Sequence, residues 1–240
     1  MKRDTRDDRA ASRRAALAAL GATGAALLAG RSLAQGMRAQ AASPACVLTP
    51  AQTEGPYFVD EKLERTDLRT DPSDGSVRPG ALLALQLRVS SIDGAACRPV
   101  SGAIVDVWHC DAAGIYSDAS DMRLSTRGAR FLRGYQVTDA AGLVRFTTIY
   151  PGAYPGRAVH IHFKVRTGAP GRIREFTSQF YFDDALTDRV HARAPYAGPG
   201  ARRTRNEGDG LYRAGGRQLQ LDVVPSGEGH AASYEVGIPP

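Results

Sequence analysis

Polar and apolar positions alternate over short stretches of the chain after residue 80, as they do in strands that bury one face. Residues 83–89 alternate in this way, and residues 103–108 form a second run that is rich in β-branched side chains. Four more apolar runs are bounded by turn-forming residues, at 160–165, 176–182, 219–224 and 234–238. Many short strands with almost no amphipathic helix predict an all-β fold, an antiparallel β-sandwich with long loops.

One connection between strands is predicted in more detail. Residues 136–138 and 143–146 are strand-like, and they flank residues 139–142, whose sequence Asp-Ala-Ala-Gly is typical of a tight turn. The spacing predicts that the two strands pair with each other as a hairpin.

The segment before the strands has no helical or strand periodicity. Residues 48–60 contain two prolines and a glycine, which favour an extended arm lying over the domain. Residues 61–78 are charged and rich in turn formers, and we interpret them as a surface loop without chemistry. Residues 42–80 are therefore assigned to the arm and loop, and residues 81–240 to the β-sandwich domain.

The first 41 residues have the features of an export signal. Arg13 and Arg14 precede an alanine-rich, weakly apolar run over residues 15–29, and small-residue cleavage sites follow. This pattern predicts a twin-arginine-type signal peptide over residues 1–41 and an exported protein, periplasmic or extracellular. The apolar run is shorter than the about 20 residues of a membrane span, so no stable span is expected in the mature form. Retention of the leader as an anchor is the alternative.

Net charge separates the leader from the rest of the chain. The formal net charge is +6, but residues 1–41 account for +5 of it, which leaves 23 basic and 22 acidic residues in the remainder. The basic character belongs to the leader, and nothing after it demands a polyanionic partner. We therefore expect no nucleic-acid partner.

Cysteine usage fits an oxidising destination. Cys46, Cys97 and Cys110 are the three cysteines of the chain, and all follow the leader. One disulfide with one thiol left over is expected. We favour Cys46 with Cys97, because both lie outside the motif-bearing strand. None of the three has a partner at chelate spacing, which disfavours a cysteine metal site.

His160 and His162 are the first candidates for chemistry. One residue separates them in a predicted strand, so their side chains leave the same face while Ile161 points away. Just upstream, prolines and glycines bracket Tyr154 and place its phenol on a loop that faces the start of the strand. Two imidazoles and a phenolate could share one metal ion. A lone His-x-His pair, however, more often marks hydrogen-bonded or solvated histidines.

A longer sequence pattern favours the metal-site interpretation of the two histidines. The chain contains, in order, GAIVDVWHCDAAGIYS at residues 102–117, the run RGYQVTDAAGLVRFTTIYPGAYPGRAVHIHFKV, and TSQFYFDD. From residue 48 to the C-terminus the sequence resembles the intradiol ring-cleavage dioxygenases, which include the catechol and protocatechuate dioxygenases. The motifs are highly specific, because two tyrosines, an arginine and a paired histidine must recur in order and spacing.

The resemblance implies one non-haem ferric ion per chain. The residues that match the family's metal ligands are Tyr116, Tyr154, His160 and His162. Two phenolates and two imidazoles are hard or borderline ligands that suit Fe(III), whereas zinc sites normally use cysteine, histidine and carboxylate. A tyrosine with a pKa of about 10 ionises only where a strong cation compensates its charge.

The resemblance also assigns catalytic and substrate-contacting residues. Arg157 matches the family's active-site arginine, whose charge can stabilise the ketonised substrate. Tyr154 matches the ligand that leaves the metal and takes up a substrate proton. Gln179 matches a glutamine near the oxygen-binding side. Tyr57, in the arm, is expected to form a wall of the substrate pocket, with simple packing as the alternative.

The other histidines and the loop arginines are not assigned to the site. His109 matches no family ligand and is interpreted as a hydrogen-bonded strand or interface histidine. His191 and His230 are expected to be exposed. Three loop arginines are interpreted as solvated, although each could bind a substrate carboxylate; they are Arg123, Arg127 and Arg130.

The function implied by the resemblance is intradiol ring cleavage. A catechol-type substrate and O2 would be the small-molecule partners, and the product would be a muconate-type diacid, cleaved between the hydroxyl-bearing carbons. The particular catechol and any homo-oligomer stay open. One competing hypothesis is a non-catalytic exported β-sandwich binding module, which would not require the tyrosines and histidines in this order. Another is a zinc-dependent hydrolase, which would need a carboxylate or a third histidine as a ligand.

Overall fold

Nine strands form two sheets in the part of the chain that the structure describes. The structure is a computed structural model, and it describes residues 47–120, 125–168, 171–197 and 204–240. The strands are β1 (Leu82–Asp93), β2 (Ala96–Pro99), β3 (Ile104–Trp108), β4 (Arg133–Val137), β5 (Leu143–Ile149), β6 (His160–Thr167), β7 (Arg174–Tyr181), β8 (Asp222–Ser226) and β9 (Gly229–Ile238).

The two sheets pack face to face around one hydrophobic core. The first sheet has the order β2-β1-β9-β8, with β5 also paired to β1, and the second has the order β4-β3-β6-β7. Alternate residues of β1 and β6 contribute to the core between them, including Leu85, Leu87, Ile161 and Phe163. The predicted β-sandwich is confirmed. Its strands pair antiparallel, except that β1 and β9 run parallel.

Strand β6 separates this core from a second, polar face of its sheet. Ile161, Phe163 and Val165 belong to the core. Because side chains alternate along a strand, His160 and His162 leave the opposite face, as predicted. Both histidines are nevertheless buried, so a segment other than the first sheet must cover them.

An extended arm covers this outer face of the second sheet, as the sequence predicts. Residues 47–60 contain no helix or strand. Two ion pairs hold the arm to β6, Glu54 with Lys164 and Asp60 with Arg166. Because Lys164 and Arg166 follow the histidines at two-residue spacing, one face of β6 carries both histidines and both cations.

The hairpin predicted around residues 139–142 is wrong. The turn itself forms, with the N–H of Gly142 donating to the carbonyl of Asp139 at 2.9 Å. However, β4 pairs with β3 in the second sheet, while β5 pairs with β1 in the first. Pairing with β1 places Val144 and Phe146 in the core, and the burial of these two side chains stabilises β5 in the first sheet. The turn therefore connects β4 in the second sheet to β5 in the first.

Short helices lie in the second half of the chain. Helix α1 (Asp184–His191) begins after Asp183, whose carboxylate accepts the N–H of Leu186. The sequence pattern does not predict this helix, because only Thr187 and Val190 within it are buried and so no apolar stripe marks it. Helix α2 (Gly210–Arg213) is a single turn.

The strand predicted at residues 219–224 begins later than expected. A 3-10 helix occupies Gly216–Leu219, and β8 starts at Asp222. Among the described residues, no helix combines the length and apolar character needed to cross a membrane. The predicted leader, residues 1–41, lies outside the described residues.

The segment at residues 61–78 is not simply a surface loop, contrary to the prediction. Leu68 is fully buried in the core. The N–H of Leu68 donates to the carbonyl of Thr147 at 2.9 Å, and the N–H of Leu132 donates to the carbonyl of Leu68 at 2.7 Å. The segment therefore connects β5 to the stretch that leads into β4.

The cysteines divide as expected into one disulfide and one thiol. Cys97 is disulfide-bonded, and Cys110 is a free, buried thiol. Cys46 lies outside the described residues, so its pairing with Cys97 stays a prediction.

Candidate active site

Two imidazoles and one phenol meet on the outer face of β6. The Nε2 atoms of His160 and His162 are 3.0 Å apart, and the Oη of Tyr116 lies 3.1 Å from Nε2 of His160. All three side chains are buried. Trp108, on the neighbouring strand β3, stacks on His162 with ring centroids 5.0 Å apart and so restricts the plane of that imidazole.

Burial favours the neutral form of both imidazoles. It lowers the pKa of His160 to about 3, and the positive charge of Arg157 acts in the same direction. Burial and the neighbouring His160 lower the pKa of His162 well below its usual value. The Nδ1 of His160 lies 2.7 Å from the carbonyl of Ala158. Since a carbonyl only accepts, Nδ1 carries the proton, and Nε2 presents a lone pair to the centre of the cluster.

Tyr116 is positioned by the loop that follows β3. The N–H groups of Ala113 and Ile115 both donate to Oδ1 of Asp111, at 2.9 and 3.0 Å, which fixes the path of the loop just before the tyrosine. Burial raises the pKa of Tyr116 well above its ordinary value. The phenol would therefore ionise only beside a compensating cation.

Tyr154 reaches the same cluster from the loop before β6. Its ring meets that of Tyr116 edge-on, with centroids 5.6 Å apart, and its hydroxyl lies 2.7 Å from the hydroxyl of Tyr57. Tyr57, in the arm, also stacks on Tyr116 with centroids 4.3 Å apart. The structure thus brings together Tyr57 and both candidate tyrosine ligands.

The two loops that carry these tyrosines are packed backbone to backbone. The N–H of Gly152 donates to the carbonyl of Asp111 at 3.0 Å, and a Cβ at Gly152 would stand 2.5 Å from that oxygen. Gly114 has a φ of +81°, and a Cβ there would collide with the carbonyl oxygen of Ala153. Only glycine fits both positions, so the relative placement of the two tyrosines depends on this contact.

We expect Gly152→Ala to lower the free energy of unfolding by about 1–3 kcal/mol, the usual cost of overpacking. It should also weaken ferric-iron binding, because the two tyrosine loops would separate. Thermal unfolding of the metal-free protein measures the first effect and iron titration the second. Gly208→Ala is the matched control, since a Cβ there meets only Cγ2 of Thr204 at 3.7 Å, an ordinary contact. Equal unfolding free energies for the two variants would contradict the close approach.

Arg157 lies beside the cluster in a hydrogen-bonded network. Its Nε donates to Oδ2 of Asp209 at 2.8 Å, and its Nη2 donates to Oε1 of Gln179 at 2.7 Å. The amide nitrogen of Gln179 donates in turn to the carbonyl of Thr53, in the arm, at 2.8 Å. Both ends of the Gln179 amide are engaged, so this side chain links Arg157 to the arm.

Asp209 is a residue of this network that the sequence analysis missed. Burial opposes its charge, but the N–H of Ala158 and the guanidinium of Arg157 hold the pKa of its carboxyl below the usual value. Asp209 lies 52 residues from Arg157 along the chain. An Asp-Gly pair indicates only a turn, so the sequence carries no signal that would have joined the two residues.

Comparison with known proteins identifies the family. A protein-family model described as Dioxygenase matches residues 53–194, more than half of the chain. The structure of an intradiol ring-cleavage dioxygenase from Tetranychus urticae is similar, with a TM-score of 0.70 and 32% identity over 81% of this chain and 96% of that one. The chain belongs to the intradiol ring-cleavage dioxygenase family.

Other members of the intradiol dioxygenase family differ in length. The dioxygenase domain of a carbohydrate-binding fusion protein from Streptomyces sp. SirexAA-E has a TM-score of 0.55 at 32% identity, over 80% of this chain and 99% of that one. The protocatechuate 3,4-dioxygenase β chain of Burkholderia cepacia is 41% identical over 151 residues, 59% of this chain and 57% of its own. The chain spans about half the length of the curated relatives it matches.

The donor atoms of the cluster fit the ferric ion that intradiol dioxygenases use. Within residues 47–120, 125–168, 171–197 and 204–240, no group of three or more His, Cys, Asp or Glu side chains is placed to hold a metal, so the candidate set depends on tyrosine. The buried Nε2 of His160 directs its lone pair at two polar atoms within 3.1 Å. A cation bound by these atoms would offset the cost of burying several polar groups close together, and phenol oxygens with imidazole nitrogens are suitable ligands for Fe(III).

The remaining histidines lie outside the cluster. His109 is buried, and both of its ring nitrogens lie within 2.8 Å of hydrogen-bond partners, as predicted. His191 and His230 are half-buried rather than exposed, which corrects the prediction. The Nε2 of His191 lies 2.9 Å from the carbonyl of Pro151, and His230 lies in β9 rather than in a turn.

The loop arginines that the structure describes, Arg127 and Arg130, are exposed, as predicted, and each also has a protein partner. Arg130 forms an ion pair with Glu61 at 3.1 Å, and the Nε of Arg127 donates to the hydroxyl of Ser120 at 3.0 Å. Arg123 lies outside the described residues.

Proposed function

We propose that this chain is a non-haem Fe(III)-dependent intradiol dioxygenase. It would cleave a catechol-type ring between its two hydroxyl-bearing carbons with O2 and give a muconate-type diacid. The observation that carries the proposal is that Tyr116 and His162 each place a donor atom within 3.1 Å of Nε2 of His160, on one buried face. Tyr154 and Arg157 adjoin this cluster, and the family membership agrees with it.

The three buried side chains are suited to hold the metal throughout the reaction. Tyr116, His160 and His162 are each at most 3% exposed, and stacking on Trp108 and Tyr57 restricts two of their rings. When bound, ferric iron would act as a Lewis acid that draws electron density from a catecholate and makes its ring reactive toward O2.

Tyr154 is suited to a role that requires movement. Its side chain is half-buried, and the two residues that follow it, Pro155 and Gly156, are exposed. Its phenolate oxygen can take up a proton from the entering substrate. The hydroxyl of Tyr57, 2.7 Å away, can then share the hydrogen bond with the neutral phenol, which keeps Tyr154 close to the site.

Arg157 supplies a fixed positive charge next to the reacting ring. Its half-buried guanidinium, held in place by hydrogen bonds, can stabilise negative charge that develops on the substrate, because it needs little reorganisation during the reaction. Gln179 accepts from Arg157 and donates to the arm, so we assign it to orienting the arginine.

The proposal is tested by the visible absorption spectrum of the purified protein loaded with ferric iron, recorded before and after adding catechol without oxygen. We expect a broad tyrosinate-to-iron charge-transfer band that shifts when catechol binds, and a diacid product once oxygen is admitted. A protein that stays colourless with stoichiometric ferric iron would contradict the proposal. Tight zinc binding without colour would favour a hydrolase, and no metal binding would favour a binding module.

Tyr57→Phe is expected to lower kcat about 5- to 10-fold, which corresponds to the loss of one hydrogen bond of about 1 kcal/mol. The charge-transfer band should also shift, because the Tyr154 oxygen loses its hydroxyl neighbour. Stopped-flow absorption and steady-state kinetics measure both effects. Phe58→Leu, at the next position of the arm, controls for a general disturbance of the arm. A Tyr57→Phe variant with an unchanged band and an unchanged kcat would exclude this role.

We also propose that the protein is exported through the twin-arginine pathway, on the strength of Arg13 and Arg14 before the alanine-rich run. Replacing both arginines with lysine is expected to retain most of the protein in the cytoplasm of a host that has this pathway. Cell fractionation measures the distribution. An unchanged distribution would contradict the proposed route.

A further inference from the structure

The carboxylate of Asp209 is the main anchor of the Arg157 guanidinium. Asp209 is only 2% exposed, and it precedes helix α2. Its Oδ2 accepts the Nε–H of Arg157 at 2.8 Å and the N–H of Ala158 at 2.9 Å, while its Oδ1 accepts the N–H of Leu211 at 2.8 Å. One carboxylate therefore fixes the guanidinium, the backbone next to it, and the first turn of α2.

The contacts of Arg157 leave one edge of its guanidinium available. The Nε is held by Asp209, and the Nη2 donates to Gln179 at 2.7 Å and to the hydroxyl of Tyr181 at 3.3 Å. Within the part of the chain that the structure describes, Nη1 has no protein partner. Because the guanidinium is planar, fixing two of its nitrogens also fixes the direction of the third.

We propose that Asp209 is a positioning residue that holds the guanidinium of Arg157 with Nη1 turned toward the bound catechol ring. The inference rests on the proposed function, since it specifies how the arginine of that reaction is oriented. It also makes the segment around α2 a part of the active site, although this segment lies beyond residue 194, where the match to the family model ends.

A helix cap alone would be the competing account of Asp209. Its bond to Leu211 caps α2, but that helix has only four residues and would not by itself require a buried charge. Asp183 offers a direct comparison, because it caps α1 in the same way through the N–H of Leu186. It is exposed and has no arginine partner in the described structure.

The test compares Asp209→Asn with Asp183→Asn in the iron-loaded enzyme and in the metal-free protein. The asparagine at 209 keeps one oxygen, which can still accept the N–H of Leu211 as a helix cap, but it loses the second acceptor oxygen and the charge that pairs with Arg157. We expect kcat to fall about 100-fold, the scale of a mispositioned catalytic group, while KM for catechol and the charge-transfer band change less than about twofold. Asp183→Asn should leave kcat unchanged.

A metal-free measurement separates this inference from the proposed function. In arginine-labelled wild-type protein, the Nε–H signal of Arg157, assigned by its loss in Arg157→Lys, should exchange slowly with solvent. In Asp209→Asn it should exchange at least about tenfold faster, and in Asp183→Asn at the wild-type rate. If the wild-type enzyme had no activity on any catechol, the proposed function would be contradicted. The exchange measurement would still test whether Asp209 holds the guanidinium of Arg157.

Two outcomes would overturn the positioning role. An Asp209→Asn variant with wild-type kcat, or with an Arg157 signal as protected as in the wild type, would show that the carboxylate does not set the guanidinium. A loss of kcat that Asp183→Asn matches would reduce the effect to helix capping. Asp209→Glu, which keeps the charge but moves it by one methylene, should restore part of kcat only if the ion pair matters.

Discussion

Replacing His160 with alanine is expected to abolish the visible charge-transfer band and to lower the affinity for ferric iron by at least about 100-fold. Mutating even a residue that only hydrogen-bonds to a metal ligand typically lowers metal affinity about 10- to 100-fold. The Nε2 of His160 lies between Nε2 of His162 and Oη of Tyr116, so its loss removes the central donor of the cluster. Ring-cleaving activity should fall with the iron. Iron titration followed by absorption measures the affinity, and catechol consumption measures the activity.

His230→Gln is the matched control for this experiment. His230 is another strand histidine, half-buried rather than fully buried, but it lies in β9 of the other sheet, so its replacement should leave the band and the iron affinity unchanged. A coloured His160→Ala variant with near-normal affinity would show that the metal binds elsewhere. A colourless His230→Gln variant would show that the charge-transfer band is lost because the fold is disturbed, and not because a metal ligand is removed.

Replacing Arg157 with glutamine is expected to lower kcat by about 10²- to 10³-fold, the range seen when one preorganised stabilising group is removed. The iron-dependent band should persist, because Arg157 contacts Asp209 and Gln179 rather than being one of the candidate ligands. Binding of catechol should weaken less than kcat falls, since the charge acts mainly on the transition state. Steady-state kinetics and anaerobic catechol titration separate the two effects.

Arg88→Gln is the matched control for Arg157→Gln, because it removes an arginine charge away from the site. Arg88 also pairs with a carboxylate, Glu235 at 3.2 Å, but on the first sheet, so its removal should leave kcat unchanged. Arg157→Lys keeps the positive charge but loses the planar guanidinium with its fixed N–H directions. It should still lose most of the activity if the direction of the guanidinium matters. A full-activity Arg157→Gln enzyme would remove the arginine from the mechanism.

The sequence predicts the parts of the site that lie on one strand or in one motif. The alternation of β6 places His160 and His162 on one face without any knowledge of the partners of that strand. The family motif adds Tyr116, Tyr154 and Arg157, and the structure brings all of them to the same face. What their positions along the chain do not give is the contact between the two tyrosine loops, which depends on the absence of a Cβ at two glycines.

Long-range pairing explains what the sequence could not predict. The turn at residues 139–142 has hairpin chemistry, yet the strands on either side join different sheets because β1 offers β5 a longer partner. The role of Asp209 is equally hidden, since its partner lies 52 residues away. Local patterns fix the turn and the face of a strand, whereas tertiary packing decides which strands and charges meet.

The division of β6 into a core face and a histidine face makes the colour expected of the iron-loaded protein a test of strand register. A slip of one residue against β3 or β7 would turn His160 and His162 inward and bring Ile161 and Phe163 beneath the arm. Such a chain could keep its strand content and its circular dichroism spectrum, but it could not assemble the chromophore. With iron in excess, absorbance per protein chain would then measure the fraction of correctly registered molecules in a preparation, which a measurement of secondary structure cannot do.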